Sequence, residues 1–297
     1  MPNVATFEEF VNALTSIDTG DVINVTADLD ANTWIPSYLT TFPLKCPSDE
    51  HQVENVVING NGHTVYNINN SNAVTDGLFK FFVLTGATHP DCITVNNLNF
   101  LNCACFSEQK PIFSSNSQTN LSYGSISFND CTIQGVFNGA FTRGNFWYNR
   151  CMISVKSQRG TFTAGVDNYN PVLNQCWIYL DNISKIINTT VLRNLIQCYV
   201  KGNINYAALT AASALAIATN CDNSCINVDA DVTGFSFDVP LSTLISPRTS
   251  ESKLTIANTD KIVGASASAR DNIVGVTDTQ MRDADYLFNI GFDILPT

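Results

Sequence analysis

The sequence predicts an all-β fold, a solenoid whose coils stack as parallel strands in a parallel β-helix. A short capping helix precedes it, and a small C-terminal module ending in a second short helix follows. Three observations carry this reading. First, stretches built around one cysteine return as "NFLNCACF", "SFNDCTIQG", "FWYNRCMIS", "VLNQCWIYL" and "NLIQCYVKG", with Cys103, Cys131, Cys151, Cys176 and Cys198 spaced by 20 to 28 residues. Second, aligning those cysteines puts Phe100, Phe128, Tyr148, Leu173 and Leu195 three places earlier, and Cys105, Ile133, Ile153, Ile178 and Val200 two places later. Third, the runs are short, alternating, β-branched and aromatic, and Asn and Gly separate them, whereas a helical repeat would show paired amphipathic helices. Repeating columns of this kind require neighbouring coils to pair in register at the ~4.8 Å strand spacing. The thiol is compact enough for a crowded inward column. The residues just before it, Asn102, Asp130, Arg150, Gln175 and Gln197, vary freely and face solvent by alternation.

Taken in order, "TFEEFVNALTSIDTG" opens with Thr6 and Glu9 in capping-box spacing and places Phe7, Phe10, Val11, Leu14 and Ile17 on one helical face. Such a helix covers the open end that a solenoid would otherwise expose to edge pairing. "VINVTADLD" switches to period two, with Ile23, Val25, Ala27 and Leu29 on one side, and reads as a strand. "VENVVINGNGHTVYNI" holds two apolar runs around Asn-Gly-Asn-Gly, either a hairpin or the corner of a coil, and the cysteine columns favour the corner. Beyond about Asp231 the cysteines stop and Pro, Ser and Gly interrupt the strands. The expected division is therefore a β-helix with its cap over residues 1–235 and an attachment or capping module over 236–297. In "TDTQMRDADYLFNIGF", Thr277 and Gln280 have capping-box spacing, Met281, Ala284, Leu287 and Phe288 form a stripe, and Gly291 stands at a C-cap, which predicts one helix.

Composition excludes several classes of function. Charged residues make up 14% of the chain, the formal charge is −11, and there is no basic run, which disfavours nucleic acid as a partner. Asparagine occurs 35 times, 28 of them between Asn55 and Asn227, so the expected surface is neutral, polar and rich in turns. "MPNVATFEEF" lacks a basic start followed by an apolar stretch, and no run approaches a membrane span, so synthesis in a cytoplasm without membrane insertion is expected. The ten cysteines then read as reduced, packed thiols rather than disulfides.

The "F-x-N-C-x-I" rung, the helix leading into "GDVINVTADLD" and the "INGNGHTV" stretch resemble right-handed parallel β-helix proteins of the pectin-lyase-like kind, over residues 5 to 235. Catalytic members of that kind imply paired aspartates with a Gly-His-Gly turn, or calcium-binding aspartates with an arginine. Neither set is found here: "NGHTV" has Thr64 after His63. His51, His63 and His89 are expected to be surface histidines, Asp130 and Arg150 a surface ion pair, and Cys221 and Cys225 packed thiols, because structural zinc needs a second close pair. No catalytic residue, cofactor or metal is predicted. Alternation places Trp177, Tyr179 and Tyr199 outward on one flank, as a protein interface, a glycan contact or a face covered by the chain's own loops.

The whole is similar to β-helical bacteriophage virion proteins such as head decorations, fibres and tail spikes. That resemblance implies a non-enzymatic structural protein of a virion, released on lysis, with a homotrimer and other virion proteins as partners and Trp177 at a contact. The alternative is a tail-spike-like protein that binds or depolymerises polysaccharide, with host surface glycans as partners.

Overall fold

The computed structural model describes residues 2–34, 43–70, 77–84, 91–105, 111–116, 125–137, 141–156, 172–183, 192–193, 195–205, 218–221, 224–231, 245–247, 254–257, 273–276, 278–281 and 283–289. It is an all-β parallel β-helix with an N-terminal helix, in which every strand register pairs parallel strands of successive coils. The described residues form two compact units, one up to Met152 and the other from Ile153 onward.

In the first unit each coil visits three sheets in turn. The first sheet runs from Asn3–Val4 through Val22–Val25, Val56–Asn59, Asp91–Asn96 and Ser125–Asn129 to Phe146–Asn149. The second contains Leu29–Asp30, Thr64–Tyr66, Asn99–Cys105 and Thr132–Phe137, and the third Leu44–Cys46, Phe79–Phe81, Phe113–Ser115 and Thr142–Arg143. "VINVTADLD" is thus two strands in different sheets, not one. Thr26–Asp28 turn the corner, and Ala27 is half-buried where Ile23, Val25 and Leu29 are buried. The Asn-Gly-Asn-Gly stretch is likewise a corner, with Asn61 at φ 53° and Gly62 at φ 82°.

Helix α1 spans Phe7–Thr15 and carries the predicted capping box: Glu9 N–H donates to Thr6 Oγ1 at 3.2 Å, and Thr6 N–H donates to Glu9 Oε2 at 3.1 Å. Its buried Phe10 and Leu14 line the same small apolar void as Phe81, Phe100 and Phe113, so the helix plugs the interior of the first coils. Below the plug, aromatic rings fill the core. Phe128 is stacked on Tyr148 at 5.4 Å, and the Tyr148 hydroxyl meets Thr142 Oγ1 at 2.6 Å in a buried contact.

The second unit repeats the pattern. Val172–Asn174 pairs Leu195–Ile196, Trp177–Ile183 pairs Tyr199–Asn205, and the latter pairs Ser224–Asp231, all in parallel. The predicted boundary at 235/236 falls outside the described residues. Parallel pairing is present beyond it, where Ser224–Asp231 adjoins Leu254–Ala257 and that strand adjoins Ile273–Val276. At the C-terminus the single predicted helix is two short ones, α2 over Asp278–Met281 and α3 over Ala284–Asn289. The break lies at Asp283, whose Oδ1 accepts from Tyr286 N–H at 3.0 Å and so caps α3 as an N-cap residue does. Thr277, Gly291 and the apolar stripe's side chains lie outside the described residues.

Candidate functional site

The corner between the first and second sheets explains the cysteine cadence. In the first unit Asn24, Asn59, Asn96, Asn129 and Asn149 occupy one register position on successive coils. Their side chains form an amide ladder, each Nδ2 donating to the preceding Oδ1 at 3.1, 3.5, 3.0 and 2.8 Å. In the last three of these coils the next residue, Asn97, Asp130 or Arg150, turns the chain with φ 47–54°. Gln175 and Gln197 do the same in the second unit, at φ 54° and 49°. The left-handed region costs a non-glycine residue roughly 1–2 kcal/mol, and neighbouring coils pair the side chains of the residues held there. Arg150 Nε and Nη2 each donate to Asp130 at 2.7 Å, and Gln175 Nε2 donates to Gln197 Oε1 at 3.1 Å.

The residue after the turn points inward. Cys131, Cys151, Cys176 and Cys198 are at most 1% exposed. Each thiol donates to its own carbonyl two residues back, at 3.2, 3.4, 3.4 and 3.3 Å. Cys151 and Cys198 also reach the preceding coil, at the Phe128 and Leu173 carbonyls, 3.3 and 3.1 Å away. The Asn129, Asn149 and Ile196 carbonyls also accept the N–H of Asn97, Asp130 and Gln175 from the preceding coil, each at 2.9 Å, so the weak S–H donor takes the second lone pair of a carbonyl already in the ladder.

Cys103 does not belong to this column, and the predicted alignment is corrected there. Phe128 pairs with Val95 and Phe100 with Ile133, so the corner before Cys131 is Asn96-Asn97-Leu98, and the coils are 33 to 37 residues long before the one of 20. Cys103 instead follows a second left-handed residue, Asn102 at φ 54°, in a bulge of the second sheet, and it faces Gly135. The same local conformation gives the same Asn-Cys signature at a different place in the coil.

The eight cysteines with described side chains are buried thiols in no disulfide. Burial pushes the Cys103 thiol up to about 12 and raises Cys46 further, while the neighbouring Cys151 thiol, then burial, raises Cys131. Because the thiolate is the reactive form, a chromogenic disulfide reagent at neutral pH is expected to leave Cys46, Cys103 and Cys131 unlabelled in the native protein and to label them after unfolding, read by mass spectrometry. Prompt native labelling would contradict the packing. The folded state keeps these thiols neutral, so stability falls as pH rises above the ordinary thiol value of about 8.5.

Asp130 and Arg150 form the predicted surface pair, each about half exposed at 52% and 54%. Arg150 holds the Asp130 carboxyl below its ordinary range, so any contribution is present above that range and lost as pH falls through the lowered value. Arg150→Ala is expected to cost less than about 1 kcal/mol in a denaturant titration.

On the flank of the second unit, Trp177 and Tyr199 are register partners with ring centroids 5.1 Å apart, and Tyr179 pairs with Lys201, whose Nζ sits 5.8 Å from the Tyr179 ring centre. Trp177 is half-buried, Tyr179 is 41% exposed, and Tyr199 is only 6% exposed. The three therefore lie together, but only Tyr179 offers a broad outward surface. Lys156 and Asp181 add an ion pair at 3.6 Å on the same unit.

His51 contacts Asp49 and Asp18, and His63 Nδ1 lies 3.4 Å from Asp28 Oδ1. His89 lies outside the described residues, as do the side chains of Cys221 and Cys225. Among the described residues no group of three or more His, Cys, Asp or Glu is placed to hold a metal, and no helix is long and apolar enough to cross a membrane.

No protein-family model matches the chain, and no curated protein does. Among solved structures it is similar to a candidate immunoglobulin A1 protease from Bacteroides ovatus, at 11% identity and a TM-score of 0.42, over 98% of this chain and 88% of that one. The fold assignment rests on the parallel registers.

Proposed function

We propose that this chain is a non-enzymatic structural component of a bacteriophage particle, a decoration, head-fibre or spike protein of the pectin-lyase-like kind, working as a homotrimer. The observation that supports this reading is how the coils use their outward polar groups. Asp130 is held by Arg150, and Asp28 accepts from Thr64 N–H at 2.9 Å. Asp30 accepts from Asn67 at 2.8 Å, and the asparagines hydrogen-bond one another. Glycosidases need two carboxylates poised across a sugar bond, roughly 5–9.5 Å apart; Asp28, Asp30 and Asp130 instead join one coil to the next. Tyr179, with Trp177 beside it, supplies the contact surface.

The test is proteomics of purified particles from the source, with mass photometry of the isolated chain. Stoichiometric copies in the particle and a trimeric mass are expected. Absence from the particle, or monomers alone both in solution and on the particle, would overturn the reading.

The exposed Tyr179 ring also favours a second reading, a protein that binds or depolymerises polysaccharide. A broad glycan panel decides it: binding abolished in Tyr179→Ala, or release of reducing ends or unsaturated sugars, supports it, and neither binding nor turnover removes it.

A further inference from the structure

Four contacts fasten the end of α1 to the turn that follows Cys46. Three do not titrate. Ser48 N–H donates to the Thr15 carbonyl at 2.8 Å, Gly20 N–H to the Glu54 carbonyl at 3.0 Å, and Glu54 N–H to Thr19 Oγ1 at 3.3 Å. The fourth is His51, with Nδ1 2.6 Å from Asp49 Oδ1 and Nε2 3.4 Å from Asp18 Oδ1. Asp49 belongs to the turn that carries His51, and Asp18 to the segment leaving α1. A neutral imidazole has one N–H, and an ionised carboxylate only accepts, so both interactions are attractive only when the ring carries both protons.

We propose that His51 is a pH-operated latch on the N-terminal cap, shut as the imidazolium that bridges Asp49 and Asp18 and loosened when the ring loses a proton. The shorter interaction keeps the remaining proton on Nδ1, so deprotonation breaks the link to Asp18, the one that spans the two segments. The other charged groups on these segments are Asp21, whose carboxylate accepts from Asp18 N–H at 2.8 Å, Lys45 and Glu50, which pair with each other, and Glu54. Loosening acts on α1, whose Phe10 and Leu14 plug the interior of the first coils. A solenoid end without its plug is an open template for strand pairing.

The electrostatics run the same way. Asp49, then Asp18, hold the His51 imidazolium above its ordinary pKa, and His51 holds the Asp49 carboxyl below its own. The histidine contribution is fully present below the unfolded value of about 6.5 and is lost as pH rises through the raised one. Asp49's own contribution is present above the ordinary carboxylate range and is lost as pH falls through its lowered value. The latch is shut in mild acid and open in alkali.

Hydrogen exchange of the whole chain, read by mass spectrometry and corrected for intrinsic exchange rates, tests this. Between about pH 5.5 and pH 8.5, protection of Phe10–Ser16 is expected to fall roughly threefold, the scale of an exposed ion pair. His51→Gln and Asp18→Asn are expected to stay at the alkaline level at both pH values, and His63→Gln to keep the native slope. A native protein without the slope, or either variant folded by circular dichroism and keeping it, overturns the proposal. Should one variant fail to fold, the other decides.

Discussion

Phe128→Ala is expected to lower the unfolding free energy by roughly 3–5 kcal/mol. Phe128 is 2% exposed, and its ring lies within 5.4 to 6.1 Å of Phe100, Phe113, Phe141, Phe146 and Tyr148. Those partners sit on different sheets and different coils, so truncation opens a space that no single side chain can fill by changing rotamer. The measurement is a denaturant titration, in which the midpoint should fall with little change in slope. Phe128→Leu, which keeps most of the volume, should lose much less. A Phe128→Ala loss below about 1 kcal/mol would mean that the ring is not in the core.

Gly135→Ala is expected to cost roughly 2–4 kcal/mol, for a steric reason. A Cβ at Gly135 would stand 2.2 Å from the Cys103 carbonyl oxygen and 2.8 Å from the Phe137 ring. Gly135 lies opposite the bulge in which Phe100 pairs with Ile133 and Cys103 with Gly135, one residue out of step. The second unit reuses the device. Gly202, at φ 131°, lies opposite a bulge after Leu180, and its Cβ would stand 1.9 Å from the Leu180 carbonyl oxygen. Gly20→Ala is the control, because φ is 82° but nothing lies within 4 Å, so only the backbone penalty of about 1 kcal/mol applies. Equal losses at Gly135 and Gly20 in thermal or denaturant unfolding would show that no close approach exists at the bulge.

Much of the fold is legible in the sequence, because burial leaves a chemical trace. The α1 capping box, the buried Phe7, Phe10, Val11, Leu14 and Ile17, and the stacked corners at Cys131 and Cys151 all follow from pattern. What pattern does not separate is two environments with one signature: Asn102-Cys103 in a bulge reads like Asp130-Cys131 at a corner, because both put a left-handed residue before an inward thiol. The freely varying polar column reads as plain solvent face. Arg150, Gln175 and Gln197 have no strong local preference for positive φ, and only the coil above and below each one imposes it. The asparagines read as turn formers, yet Asn59, Asn96 and Asn129 end strands and bond to their equivalents one coil away. On the flank, alternation sets Trp177, Tyr179 and Tyr199 outward alike and does not reveal that Tyr199 is 6% exposed.

Parallel, in-register stacking of the coils is tested most directly by paired cysteine substitution on the outward face of the first sheet. Val57 and Thr94 are register partners, and both are half-buried there. Val57→Cys with Thr94→Cys places two Cα atoms about one strand spacing apart, within disulfide reach, whereas Val57→Cys with Asn96→Cys puts them beyond about 7 Å. Peptide mapping after mild oxidation is expected to find the 57–94 disulfide and no 57–96 disulfide. A 57–96 bridge that forms as readily, or no bridge in either protein while both fold, would contradict the stacked coils.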